Sequence, residues 1–566
     1  MSATLPAPPA GTVAQLRSPL HRDGLALIDL ADEAHGDDPV VREELAQWRR
    51  RLEDPLRIGV AGIVKAGKST LLNALIGERI APTDAGECTR VVTWYRFGDT
   101  PEAVAVRRNG ERRRLPLHRD DGALRFDLDG GDAAETARIE VRWPSGHLRR
   151  TVLIDTPGIE SATDAVSERA RDLLIRDRVG PGDADALVYL LRHLHTSDLS
   201  FLESFRDTAA GSGGTVGALA VLSRADEVGA GRLDAMLSAR RIAERYRGAD
   251  ALRPLALTVL PIAGLLAETA RTLREREFAG IRAVSRLERS TREALLLSVD
   301  RFVRGDGLGL APADRKALVS RFGISGIRLA SALVRGGAAT SQRLSEQLLQ
   351  QSGLEELQVT LARTLMPRQD ALKVRALLAA LDELGAAHRH PPALRDAIER
   401  VQTTSRDLRE LDLISRARGD LLGLTLADAA EAEQIAGVRG IRPVERLGLT
   451  EAADETQVRA RAEQLLDAWR ARAQSPAATR PVARACADVV RTLEGILSEV
   501  AVRGGRAGGP ASDVDAAGGP ADGGGEHGQQ QGDDTESPLQ RDHQRQRRRL
   551  GAGLGQLEAE PEHDRQ

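Results

Sequence analysis

The sequence predicts an α/β fold, a mostly parallel sheet flanked by helices, joined to an α-helical bundle. Three observations carry this. Near residue 60 a short apolar run passes through a glycine-rich turn into a helix. Apolar runs of strand length then alternate with helical stretches up to about residue 265, the pattern of a parallel sheet. From there to about residue 502 the signal is helical almost throughout. Aromatic residues make up only 2% of the chain, so the core must be mostly Leu, Ala and Val, which suits packed helices.

Residues 1 to 19 are Pro/Ala-rich and are expected to be disordered. Leu25, Leu27, Ile28, Leu30 and Ala31 begin a helical pattern, and Val40, Val41, Leu45, Trp48 and Leu52 continue it after the Gly36-Asp-Asp-Pro39 break, giving two helices over 20–54. Leu56 to Ala61 reads as a buried strand and Thr70 to Ile76 as a helix, with Gly77 placed to cap it. Val91 to Tyr95 is β-rich. Val104 to Val106 and the stretch beyond Asn109-Gly110 suggest a hairpin with a type I′ turn. Ile139, Val141 and Trp143 alternate like a half-buried strand. Val152–Ile154, Ala186–Leu191 and Ala218–Leu222 read as strands buried on both faces. This α/β domain, with helical additions such as Ala294–Arg304, is placed at 55–365. The helices of 366–502, among them Leu365–His388, Val458–Ala473 and Ala483–Val502, are expected to form one antiparallel bundle with the N-terminal pair. Residues 503–566 are Gly/Asp/Gln/Pro-rich and read as a disordered tail.

Composition excludes several classes. Hydrophobic residues at 41% and charged residues at 29% describe an ordinary soluble protein, and the net charge of −3 gives no global attraction to nucleic acid. No run of eighteen or more apolar residues predicts a membrane span. The opening Met-Ser-Ala-Thr-Leu-Pro-Ala-Pro-Pro has no basic or apolar signal region. The two cysteines, Cys88 and Cys486, suggest no disulfide framework. A cytoplasmic protein is expected.

The chemistry-bearing signal is Gly62-Ile-Val-Lys65-Ala66-Gly67-Lys68-Ser69-Thr70, a complete P-loop between a strand and a helix. Its backbone N–H groups and the helix N-terminus face one point and cradle phosphates. Lys68 is expected to reach the β/γ oxygens and the Ser69 hydroxyl to ligate Mg²⁺. The chain has only four lysines, Lys65, Lys68, Lys316 and Lys373, every other basic side chain being Arg. A P-loop wants a compact charge rather than a planar fork, and with two of the four lysines in one loop Lys65 is also assigned to the site.

Two further motifs follow in order. Val152-Leu-Ile-Asp155-Thr-Pro-Gly158 ends a buried strand; Asp155 is expected to hold Mg²⁺ through water and the Gly158 N–H to contact the γ-phosphate. Ala220-Val-Leu-Ser223-Arg224-Ala-Asp226 occupies the place of a guanine-reading motif. A carboxylate there accepts from guanine N1–H and the 2-amino group, and would lie unpaired against adenine, which selects GTP. Ser223 keeps a hydroxyl where Asn or Thr is usual, and Arg224 replaces Lys and can stack on the base. A switch loop should add a threonine to Mg²⁺ and the γ-phosphate: Thr89, with Thr83 the alternative. Val259–Gly264 is a weaker candidate for contact with the base. No Gln follows Gly158, where Ile159-Glu160-Ser161 stand, so water activation must come from elsewhere or hydrolysis is slow. Lys65 is therefore assigned, with Lys68 and Thr89, to catalysis.

Gly62 through Gly77 resembles the first motif of dynamin-like GTPases. Ala81-Pro-Thr-Asp-Ala, Thr89-Arg-Val-Val-Thr-Trp94 and Ser223 through Ser238 are similar to its actinobacterial branch, as are Leu297–Arg304 and Arg321–Arg328. The resemblance covers roughly residues 50 to 500. It implies a GTPase domain joined to a helical neck built from both ends of the chain, pairing of GTPase domains, membrane remodelling at the inner face of the cell membrane, and often a second dynamin-like chain as partner. Only about 135 residues lie between 365 and 503, enough for a neck but not for a long trunk with a membrane-inserting tip, so contact with the membrane is expected to be indirect. A GTP-gated scaffold with little hydrolysis is the alternative reading. An RNA-linked GTPase is disfavoured by the absent basic surplus.

Overall fold

The computed structural model describes residues 18–82, 91–120, 123–125, 135–157, 184–205 and 214–507. Eleven strands lie within them: β1 (Leu56–Gly62), β2 (Val92–Phe97), β3 (Glu102–Arg107), β4 (Arg112–Leu115), β5 (His118–Asp120), β6 (Ala123–Arg125), β7 (Thr136–Trp143), β8 (Thr151–Asp155), β9 (Ala186–Leu191), β10 (Ala218–Ser223) and β11 (Val259–Ile262). Nine form one sheet in the order β11-β10-β9-β1-β8-β2-β7-β3-β4, and β5 and β6 pair separately. The half from β11 to β8 is parallel throughout. β2 pairs antiparallel with β8 and parallel with β7. β3 pairs antiparallel with β7 and β4.

The period of two in each central strand divides its side chains between two cores. Val188 and Leu190 of β9 join one core, and Leu187, Tyr189 and Leu191 the other. This is why these strands read as unbroken apolar runs. The first core continues without interruption into the C-terminal helices. The second is closed by helices Ala235–Arg247, Gly264–Arg271, Glu275–Arg286 and Pro312–Arg335.

Helices Pro19–His35 and Pro39–Glu53 pack with Gln369–Ala387, and the first also with Pro392–Thr404. Ser18 Oγ donates to Asp370 Oδ2 at 2.5 Å and His35 Nε2 lies 2.8 Å from His390 Nδ1. The buried Lys373 donates to the carbonyls of Asp54 and Pro55, so one ammonium caps the second N-terminal helix from the C-terminal bundle. Both ends of the chain thus contribute helices to one packed group.

Three expectations change. The turn at Asn109-Gly110 is not type I′, because only Gly110 has a positive φ (86°). Gly110 N donates to Arg107 O and Arg107 N to Glu111 O, a three-residue loop whose last residue is left-handed. Ala294–Arg304 is not one helix but two, Arg289–Leu295 and Val299–Arg304, because the Ser298 hydroxyl caps the second. The last helix, Arg480–Ala507, runs past the point where the tail was expected to start; residues 1–17 and 508–566 lie outside the described residues. Among the described residues one helix, Pro312–Arg335, is long and apolar enough to cross a membrane by length and composition. It is broken at Gly323, places Phe322, Ile327 and Ala330 in the second core, and holds Arg321 in buried ion pairs with Glu277 (2.8 Å) and Glu268 (3.4 Å).

Candidate functional site

β1 lies inside the parallel half of the sheet, between β9 and β8, and the loop leaving its C-terminal end sits where ligands bind in parallel sheets. Gly62 ends β1 at φ 148°, and a Cβ there would lie 2.4 Å from the Leu190 carbonyl oxygen; only glycine lets β9 run this close. The loop then turns through two left-handed residues, Lys65 (φ 63°) and Gly67 (φ 96°), before helix Lys68–Ile76 begins. Successive N–H groups and the helix N-terminus therefore converge. Lys68 is buried and its Nζ donates to the carbonyls of Gly62 (3.2 Å) and Ile63 (3.3 Å). Burial lowers its pKa, and the charge of Asp155 opposes that. Lys65 by contrast is exposed.

Parallel pairing of β1 with β8 sets Asp155 beside Val60, and Thr156 Oγ1 locks the crossing by donating to Val60 O at 3.0 Å. Ser69 Oγ then donates to Asp155 Oδ2 at 2.8 Å. The other oxygen, Oδ1, is buried and has no hydrogen-bond partner among the described residues. Burial pushes the Asp155 carboxyl up to about 6, against the pull of the Lys68 charge and the Ser69 hydroxyl. A buried, unpaired carboxylate oxygen next to a serine hydroxyl suits a hard divalent cation and its bound water, so these residues fit Mg²⁺.

The segment that follows β10 faces the P-loop. Ser223 closes β10 and its hydroxyl donates to Leu191 O at 3.1 Å. Arg224 is left-handed (φ 52°), which turns its side chain back over the loop: Nη2 donates to the Lys65 carbonyl at 3.0 Å and Nη1 to Glu227 at 3.1 Å. The motif after β10 is thereby tied to the P-loop. Burial pushes the Asp226 carboxyl up to about 6, its own backbone amide resisting, while Glu227 raises it further and Arg224 lowers it. A pocket of about 260 Å³ is lined by Ala66, Gly67 and Thr70 of the P-loop and its helix and by Ser223, Arg224 and Asp226.

The structure thus brings together Gly62, Lys65, Ala66, Gly67, Lys68, Ser69, Thr70 and Asp155, with Ser223, Arg224 and Asp226 across the pocket. Ile262 and Gly264, the weaker candidates, also line it. Thr89, Thr83 and Gly158 lie outside the described residues. Two contributions escaped sequence reasoning. Asn73 is buried in the helix after the P-loop, accepts from the N–H groups of Ile80 (2.9 Å) and Ala81 (2.7 Å) and donates to Ala81 O at 3.0 Å, fixing the chain that leads toward the switch threonines. A polar residue inside an otherwise apolar Leu71-Leu-Asn-Ala-Leu75 run was the available signal. The segment Gly323-Ile-Ser325 lines the pocket from about sixty residues beyond the last motif, and no local signal marked it.

Comparison with known proteins agrees with this geometry. The dynamin family model matches residues 58–203. The chain is 38% identical over 487 residues to the isoniazid-induced protein IniC of Mycobacterium tuberculosis, covering 84% of this chain and 98% of that one. A shorter stretch of 125 residues is 34% identical to the isoniazid-induced protein IniA of the same organism, 21% of this chain and 19% of that one. Over 135 residues the chain is 32% identical to a bacterial dynamin-like protein of Nostoc punctiforme, 20% of this chain and 18% of that one. With the nucleotide motifs converging on one pocket and similarity to IniC running almost the full length of that relative, the chain belongs to the dynamin family and to its IniC-like members.

Proposed function

We propose that this protein binds and hydrolyses GTP with Mg²⁺ and couples the cycle to assembly and membrane remodelling. The observation that carries the reading is one pocket lined both by Ala66, Gly67 and Thr70 of the P-loop and by Ser223, Arg224 and Asp226, with Ser69 of the same loop donating to Asp155. Phosphate charge would meet the loop N–H groups and the Lys68 ammonium. Bound Mg²⁺ would offset the charge on the β- and γ-phosphates, held by Ser69, by Thr89 and, through water, by Asp155. Asp226 would accept from the guanine edge, and the Arg224 stem would lie against the base while its head stays on the Lys65 carbonyl. Gly158 N–H would meet the γ-phosphate.

Lys65 is given the catalytic role that a missing Gln leaves open. It lies two residues before Gly67 and its side chain is exposed. A positioned positive charge there would offset charge developing at the β/γ bridge. Its partners would be a second copy, through the GTPase domains, and a second dynamin-like chain, with the membrane reached through that partner at the inner face of the cell membrane. GTP turnover with and without liposomes, and with and without a co-encoded dynamin-like chain, tests the reading. Turnover that rises on assembly supports it. Tight GTP binding with no turnover under any of these conditions would instead favour a GTP-gated scaffold, the reading that the sequence after Gly158 keeps open.

A further inference from the structure

We infer that Gly323-Ile324-Ser325, far downstream of the nucleotide motifs, forms a base-facing wall of the pocket and that Ser325 helps to select guanine. The inference rests on the reading that GTP occupies this pocket. The three residues line the same space as Ser223, Arg224 and Asp226. They get there because helix Pro312–Arg335 breaks at Gly323, whose φ of 63° and ψ of 170° fall in a region that only glycine adopts readily. A Cβ on Gly323 would meet nothing closer than Leu265 Cδ2, at 3.8 Å. Glycine is therefore required by the backbone turn and not by lack of space.

The break is fastened to the base-reading segment. Gly229, Ala230 and Gly231 are left-handed in succession (φ 62°, 61° and 66°). This wraps the chain after Asp226 around Ser325: a Cβ on Gly231 would lie 2.0 Å from Ser325 Oγ and 3.4 Å from the Asp226 carbonyl oxygen. Arg328, one turn further on, donates to the carbonyls of Gly231 and Leu296. The wall and Asp226 are thus held as one unit.

Its chemistry suits a purine. Ile324, with Leu265 and Ile262, offers an apolar surface for the flat face of the ring. Ser325 lines the pocket together with Asp226, its hydroxyl against Gly231 in the segment that follows Asp226, and from there it would accept from the 2-amino group of a bound guanine.

The test is nucleotide titration of wild type, Ile324→Ala and Ser325→Ala with GTP, inosine triphosphate and inorganic tripolyphosphate, alongside thermal unfolding. Ile324→Ala should weaken GTP about five- to twenty-fold. Ser325→Ala should narrow the preference for GTP over inosine triphosphate, which lacks the 2-amino group, about two- to ten-fold. Tripolyphosphate should bind all three proteins alike. Unchanged GTP affinity and preference in both folded variants would overturn the inference, as would an equal loss for GTP and tripolyphosphate. Wild type that binds no GTP at all would instead sink the assignment of the pocket itself.

Discussion

The two ends of the proposed nucleotide site are built in different ways. The phosphate end is local: Gly62 to Thr70 supply the loop, and one strand pairing adds Asp155. Lys68 there is buried, and Lys68, Ser69 and Asp155 are hydrogen-bonded to backbone or to one another. The base end is long-range, made from the end of β10, the start of helix Gly264–Arg271 and the break at Gly323, and its charged groups are half-exposed. Phosphate is the same in every nucleotide and can be met by backbone dipoles, whereas a base must be read by side chains at its edge. Removing a group from the first end should therefore destroy binding, and changing the second should retune it.

The largest expected effect sits at the phosphate end. Lys68→Ala should lower GTP affinity by about a hundred-fold or more and abolish turnover, because nothing else buried there carries a compact positive charge. Titration and single-turnover assays on the purified variant check this, and wild-type-like turnover would break the comparison.

Lys65 lies in the same loop but points outward. Lys65→Ala should slow turnover on the order of ten- to a thousand-fold while GTP affinity changes by less than about three-fold. Wild-type activity should also depend only weakly on potassium or sodium, since the ammonium is built in. Single-turnover hydrolysis in potassium and in choline buffers separates the outcomes, and strong potassium dependence in the wild type would remove Lys65 from this role.

At the base end, Asp226→Asn should shift preference from GTP toward xanthosine triphosphate by roughly ten- to a hundred-fold. Asn can donate to the 2-oxo group that stands in place of the 2-amino group. Competition titration of the two nucleotides reads the ratio directly, and an unchanged ranking would mean that another group reads the base.

The smallest effect is in pH. Burial raises the Asp226 carboxyl to about 6, above its unfolded value, so the folded protein holds a proton there that the unfolded chain has already lost. Its contribution to stability is present below about pH 4 and fades as pH rises through about 6. Binding runs the other way, because reading the guanine edge needs the carboxylate. GTP affinity should therefore rise with pH up to about 6, by no more than about ten-fold per unit, and Asp226→Asn should flatten that part of the profile. A wild-type profile that is flat between pH 5 and 7 would show that Asp226 is already ionised or is not used.

The same contrast explains what could be read in advance. The P-loop and Asp155 were legible because their geometry is carried by contiguous residues: glycines for the turn, apolar runs for the strands, a helix directly after. The Ser223-Arg-Ala-Asp226 motif was legible mainly from its order behind the other two. The hairpin at Asn109-Gly110 was legible as a hairpin but not as a turn type, since Asn109 can take either sign of φ and the strand register decides. The helices from both ends were readable one by one, and the joining of their cores to the sheet was not.

By itself, then, the sequence determined the elements whose cause lies within a few residues: strand–loop–helix at Leu56–Ile76 and the apolar strands Ala186–Leu191 and Ala218–Leu222. Tertiary structure alone decided three things. It left Asp155 Oδ1 buried and without a hydrogen-bond partner among the described residues, it drew the Arg224 guanidinium onto the Lys65 carbonyl, and it broke helix Pro312–Arg335 at Gly323, beside the pocket. The physical reason is range. Backbone propensity and apolar period act between near neighbours, whereas desolvation of a carboxylate and the lining of a pocket depend on which distant segments the packed cores bring together.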